Sequence, residues 1–165
     1  MGAVAGIVLI ADQATKALAL ATLDDGNTVE LVGSLRFRLV FNRGAAFGLG
    51  SRFAPLIALL GVVVVAVLAR AGGTLRRPWA RISLGLVLGG AVGNLADRLL
   101  RSDGGALSGA VVDFIDLQWW PVFNLADTAI TVGAVLLALT AGDDPGPASQ
   151  ASGGDERPDE RFDRR

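Results

Sequence analysis

The sequence predicts an all-α membrane protein: four transmembrane helices, with a small β element and loops on the outer face. Three observations carry that expectation. The 165 residues are 52% hydrophobic and 19% charged, with a mean hydropathy of +0.50, which is too apolar for an ordinary soluble domain. Uncharged runs recur at 1–11, 53–69, 82–96 and 128–142. The few ionisable residues inside the apolar stretches also fall at matching depths.

A helix crossing the hydrocarbon core needs about 20 mainly apolar residues. With their flanks, the four runs give expected spans near 2–21, 52–71, 80–100 and 122–141. The first lacks a basic n-region and is interrupted by Asp12 and Lys16, so it is expected to remain as a span rather than to be cleaved as a leader. Between spans two and three lie Arg70, Arg76, Arg77 and Arg81, with no acid among them. Short loops rich in arginine stay in the cytoplasm, so both termini are expected there and loops 22–51 and 101–121 face outward.

Within the first outer loop, Leu35, Phe37, Leu39 and Phe41 alternate with Arg36, Arg38 and Val40, the period of a strand. "NRGAAFGLGS" follows, with glycines suited to tight turns, and places Asn42 on a turn. A second short strand is expected over 109–114. Trp119 and Trp120 suit an interfacial anchor. Residues 142–165 are rich in Pro, Gly, Ser and mixed charge and cannot bury a core, so they read as a disordered cytoplasmic tail behind a single membrane domain, 1–141.

Composition removes several chemistries. The chain has no histidine and no cysteine, which excludes His-based triads, thiol nucleophiles and His-ligated metals; no metal or cofactor is expected. A net charge of −1 offers nothing to nucleic acid. A Ser-Lys dyad needs a serine at the depth of Lys16, and Ser83 sits at the cytoplasmic end of span three.

At about 1.5 Å rise per residue, Asp97 lies about 22 Å from the cytoplasmic side and Asp127, on an antiparallel helix, about 21 Å. Asp12 is somewhat deeper, Lys16 one turn higher, and Asp113 arrives from the outer loop. An intramembrane carboxylate is disfavoured by about 2.5–3.5 kcal/mol, so it usually faces a polar interior and has a role. Several in one layer suggest a site.

Asp113 and Asp127 are the candidate catalytic pair. Two close carboxylates share a proton: the ionised one can take a proton from water, the protonated one can donate to a carbonyl oxygen. The residues alone equally allow each to cap a helix or to pair with an arginine. "GGAVGNLADR" sets Asn94, Asp97 and Arg98 at i, i+3 and i+4, with Asp97–Arg98 readable as a structural pair. "FNLAD" sets Asn124 three residues before Asp127, and asparagine can hold a carboxylate in one rotamer. "DQATK" sets Asp12 and Lys16 at i, i+4, readable as an intrahelical pair. Gly89, Gly90 and Gly93 suit close helix packing.

Five stretches, "DQATK", "FNRGAAFG", "GGAVGNLADR", "VVDF" and "FNLADTAI", taken in this order over residues 12–130, resemble the lipoprotein signal peptidases, or signal peptidases II. The resemblance implies an aspartic endopeptidase of the bacterial cytoplasmic membrane. Its substrates would be prolipoproteins, cut before a cysteine that carries diacylglycerol. The implied dyad is Asp113 and Asp127, and the implied supporting residues are Asp12, Lys16, Asn42, Asn94, Asp97, Arg98 and Asn124. It also implies membrane lipids as partners, globomycin-type cyclic peptides as inhibitors, and an active site near the outer face. The chain departs from the family in its uncharged N-terminus, in a long segment "LRSDGGALSGA" before Asp113, and in its tail. A proton relay or transporter is the main rival reading; it should spread acids over several depths, whereas here they gather at one.

Overall fold

The computed structural model describes residues 1–23, 26–44, 54–73, 75, 77–102 and 107–141. The expected tail, 142–165, and the stretch 45–53 lie outside them. Four helices and three strands follow one another: α1 (Gly2–Thr22), β1 (Thr28–Val32), β2 (Leu35–Asn42), α2 (Ala54–Gly72), α3 (Pro78–Leu100), β3 (Val111–Asp116) and α4 (Leu125–Ala141).

The helices expose large apolar side chains, and α1 and α3 bury charged ones. The buried residues of α1 include Asp12 and Lys16, while Ile7, Ile10 and Leu18 are exposed. Leu56, Leu59 and Leu60 of α2 and Val132, Val135 and Leu139 of α4 are also exposed. In water such a surface is unfavourable at about 25 cal/mol per Å². Among the described residues two helices, Gly2–Thr22 and Pro78–Leu100, are long and apolar enough to cross a bilayer; Ala58–Arg70 and Leu125–Leu139 are shorter apolar stretches. The sequence led us to expect four such helices. The fourth is shortened because the chain stays non-helical as far as Asn124, whose Oδ1 accepts from Asp127 N at 2.9 Å and so caps α4.

Helix α3 is central, packing against α1, α2, α4 and β3. Glycine permits the close approach. A Cβ on Gly89 would lie 2.6 Å from Ala5 O of α1, and one on Gly90 would overlap Ala126 O of α4. Backbones this near are characteristic of small-residue contacts between membrane helices.

The sheet is antiparallel in the order β1-β2-β3. Strand β2 follows the expected alternation only in part: Phe37 and Leu39 pack with Ile115 on the cluster of Ala19, Leu23 and Phe114, seating the sheet on the C-terminal end of α1, whereas Phe41, past a register shift between Phe37 and Val40, is exposed. Phe37 and Phe114 meet edge to face at 6.1 Å. Three expectations need correction. Strand β1 was not anticipated: its residues are all exposed, so it lacks the half-buried pattern of a strand. The strand expected over 109–114 is Val111–Asp116. Asn42 is not on a turn but ends β2, opposite Val111, because pairing with β3 carries the strand one residue past its apolar alternation.

Candidate active site

Four elements, β2, α3, β3 and α4, bring the polar residues together. The β2–β3 register sets Val40 opposite Asp113 and Asn42 opposite Val111. Asp113 is 2% exposed. Its Oδ2 accepts from Asn42 Nδ2 at 3.0 Å and its Oδ1 from Asn124 Nδ2 at 2.7 Å. Asp127, in the first turn of α4, accepts at Oδ1 from Asn94 Nδ2 at 2.8 Å and at Oδ2 from Asn124 N at 3.2 Å. Both carboxylates, with Asn42, Asn94 and Arg98, line one cavity of ≈ 280 Å³ between α2, α3, α4 and the sheet.

Behind this cavity lies a buried ionic network. Lys16, wholly buried, donates to Asp12 Oδ2 at 2.8 Å, to Asp97 Oδ2 at 2.9 Å and to Asn94 Oδ1 at 3.0 Å. Those three contacts use all three ammonium protons. Because Lys16 claims Asn94 Oδ1, the Asn94 amide must turn its Nδ2 to Asp127. The two acids in turn grip the backbone beside the dyad: Asp97 Oδ2 accepts from Val112 N at 3.1 Å, and Asp12 Oδ1 from Ala126 N at 3.0 Å. Each bond holds the residue immediately before a dyad aspartate.

The Asp12–Lys16 helical pair is therefore present but belongs to a larger tertiary network. The Asp97–Arg98 pair is replaced. Asp97 binds Lys16 and Arg101 Nε, the latter at 3.3 Å, whereas Arg98 Nη1 reaches Gly109 O at 3.5 Å. Successive helical positions point about 100° apart, so Asp97 turns to α1 while Arg98 lines the cavity, within electrostatic reach of Asp113, Asp97 and Asp127. Sequence reasoning missed Gln13, which donates to Asp97 Oδ1, Asp12 Oδ2 and Gly93 O at 3.2–3.3 Å. It sits inside "DQATK", and a polar amide next to Asp12 in an apolar run was the available signal. It also left Asp116 without a role; that residue binds Arg36 and Arg38.

Burial raises the Asp113 carboxyl to about 6, from an ordinary 3.8. The Asn42 donor opposes this, the Asp127 charge adds to it, and Asn124 and Lys16 oppose it. A carboxyl at about 6 exchanges its proton near neutral pH. Paired with Asp127 in the same cavity, it gives a constellation able to deprotonate a water and protonate a carbonyl oxygen. Among the described residues no three acidic side chains form a group that could hold a metal ion.

A family model described as signal peptidase (SPase) II matches residues 4–141. A lipoprotein signal peptidase of Rhodococcus jostii (strain RHA1) is 49% identical over 137 residues, 82% of this chain and 69% of the relative. That of Mycolicibacterium smegmatis (strain ATCC 700084 / mc(2)155) is 44% identical over 81% of this chain and 57% of the relative. That of Mycobacterium avium (strain 104) is 42% identical over 82% and 75%. Two solved structures, described as bacterial membrane enzymes studied by the in meso method, superpose with TM-scores of 0.74 and 0.73. They share 27% and 28% identity and cover 93% and 86% of this chain, and 92% and 91% of theirs. With the match running from the first turns of α1 to the end of α4, this chain belongs to the signal peptidase II family.

Proposed function

We propose that this chain is a membrane aspartic endopeptidase that removes signal peptides from diacylglyceryl-modified prolipoproteins, cutting before the lipidated cysteine. Asp113 and Asp127 share one proton. The ionised member deprotonates water, the protonated member polarises the scissile carbonyl, and the proton then passes to the leaving amine. The pair titrates as a unit. Asn42, Asn94 and Asn124 hold the carboxylates, Arg98 supplies positive charge to the cavity, and Asp12, Lys16 and Asp97 fix the flanking backbone. The observation that carries the reading is that two acids from separate segments line one cavity and both bind Asn124.

All four helices cross the bacterial cytoplasmic membrane in this reading. The exposed apolar faces of α1, α2 and α4 support it, and α2 and α4 are completed by flanking residues. Both termini are cytoplasmic, since Arg70, Arg77 and Arg81 mark the inner side. The dyad lies near the outer face, reached by water from that side, with the signal helix among the spans and surrounding lipids as partners. Residues 142–165 form a cytoplasmic tail outside the catalytic domain. Globomycin-type cyclic peptides would occupy the same cavity and inhibit.

The test is incubation of the purified full chain with a diacylglyceryl-modified precursor and with its unmodified counterpart, read by mass spectrometry. Cleavage before the cysteine of the lipidated form alone is expected. It should be lost by at least about 10²-fold, the usual worth of a general acid or base, in Asp113→Asn and in Asp127→Asn. Substantial turnover by either variant would remove the dyad from the mechanism.

A further inference from the structure

Asp116 has no part in the dyad, yet it is 2% exposed and fully engaged. Its Oδ2 accepts from Arg36 Nε at 2.9 Å and Arg38 Nε at 3.1 Å, and its Oδ1 from Gln118 N at 2.7 Å. Gln118 adopts a left-handed backbone, φ 70°, a conformation a non-glycine residue holds only when its surroundings impose it. Its side chain reaches Ser34 O at 3.1 Å. Burial would raise the Asp116 carboxyl, but the Gln118 amide and the two arginines hold it below the usual range. The chain then returns to β3: Phe123 N donates to Ile115 O at 3.0 Å, and Ile115 N to Phe123 O at 2.8 Å. The turn between is thus closed at both ends, and it carries Trp119 and Trp120, stacked edge to face at 6.2 Å.

Under this turn lies a second cavity of ≈ 380 Å³, walled by Leu117, Trp119, Trp120 and Phe123 on one side and by Asp127, Thr128, Thr131 and Val132 of α4 on the other. It shares Asp127 with the dyad cavity. Its two hydroxyls are already bound within α4, Thr128 Oγ1 to Asn124 O at 3.1 Å and Thr131 Oγ1 to Asp127 O at 2.8 Å. Away from Asp127 the lining therefore offers hydrocarbon. Past Val132 it continues into the exposed apolar face formed by Val135 and Leu139, the face that the proposed function turns to lipid.

We propose that this second cavity is an alkyl-chain subsite, receiving one acyl chain of the substrate's diacylglyceryl group, and that the Asp116–Arg36–Arg38 latch sets its width by fixing the Trp119–Trp120 turn. The inference rests on the proposed peptidase reading. It follows from position as well as chemistry. An occupant that enters from the bilayer along α4 and ends beside Asp127 is apolar along its length and joined to whatever is cleaved there. Each methylene that leaves water is worth about fourfold in binding, so the subsite should discriminate by chain length.

The experiment uses the detergent-solubilised full chain and lipopeptides whose two acyl chains run from four to sixteen carbons, at one fixed mole fraction in the same micelles. Partition into the micelle is then common to all enzymes. The quantity read is the ratio of kcat/KM for the longest to the shortest substrate. Val132→Trp, which fills the cavity, should lower that ratio at least tenfold through KM, and Asp116→Asn should lower it about threefold. A second readout needs no turnover. In Asp113→Asn/Trp79→Phe, which leaves Trp119 and Trp120 as the only tryptophans, a lipopeptide with brominated acyl chains should quench fluorescence saturably. Wild-type ratios in both cavity variants, or quenching that does not saturate, would overturn the subsite. Failure of the wild type to cut any lipopeptide would overturn the peptidase reading and the subsite with it.

Discussion

Asn124 donates through Nδ2 to Asp113 Oδ1 at 2.7 Å, joining the residue that caps α4 to the carboxylate at the middle of β3. The same residue exchanges two bonds with Asp127, giving its N–H to Oδ2 and receiving Asp127 N on Oδ1. Asn124→Ala should therefore do two things. Loss of the cap lowers stability by about 1 kcal/mol, readable by thermal unfolding in detergent. Loss of the donor to Asp113 lowers kcat by more than that loss of stability accounts for. An activity unchanged beside a lowered midpoint would reduce Asn124 to a cap.

The raised Asp113 carboxyl sets a pH dependence. In the proposed mechanism the shared proton is lost as pH rises through about 6, the value to which Asp113 is raised, so kcat/KM should fall on the alkaline side of that value. Asn42 donates to the ionised form, and its removal favours the protonated form, so Asn42→Ala should move the falling limb to higher pH. A limb that moves down or stays fixed would contradict the assignment.

The same titration appears in stability. The folded state holds the Asp113 proton more tightly than the unfolded chain. The stabilisation is therefore complete below 3.8 and is lost as pH rises through about 6. The difference amounts to about 3 kcal/mol at 1.36 kcal/mol per unit. Asp113→Asn should flatten the unfolding midpoint across that window.

Lys16 is the single positive charge placed directly between Asp12 and Asp97. Lys16→Met leaves two buried acids facing each other and removes one of the two donors on Asn94 Oδ1. A loss of about 3–5 kcal/mol is expected, the usual result of removing one partner from a buried ionic group. Lys16→Met combined with Asp97→Asn should recover part of the stability but less of the rate, because only the Asn124 Nδ2 donor, at 3.2 Å from Asn94 Oδ1, then orients Asn94 toward Asp127. Full recovery of turnover in the double variant would show Lys16 to be a counter-ion alone.

Gly90 faces Ala126 O, in the turn of α4 that carries Asp127. Gly90→Ala places a Cβ against that backbone, and overpacking of this kind costs about 1–3 kcal/mol. The strain falls one residue from the dyad, so kcat should drop together with the midpoint. Gly61, where an added Cβ would meet only the Leu95 side chain at 3.5 Å, should tolerate alanine in the same assays.

Hydrophobic patterning was enough to place the helices. Apolar runs define where each lies, and the positions of Asp97 and Asp127 along α3 and α4 follow from helical rise alone. The alternation over 35–41 was enough to place β2. The identities of the polar residues were legible for the same reason: a charge or amide in an apolar run is conspicuous. Partners were not legible. From "GNLADR" no reading of spacing separates Asp97 bound to Lys16 of α1 from Asp97 paired with its neighbour, because the choice depends on which way α3 is rotated. That rotation is set by Gly89 and Gly90 fitting against Ala5 and Ala126, contacts that exist only once three helices are packed. Asp116 shows the same limit. Its local sequence offers two arginines eighty residues away no more than any others, and only the β2–β3 register brings them to it.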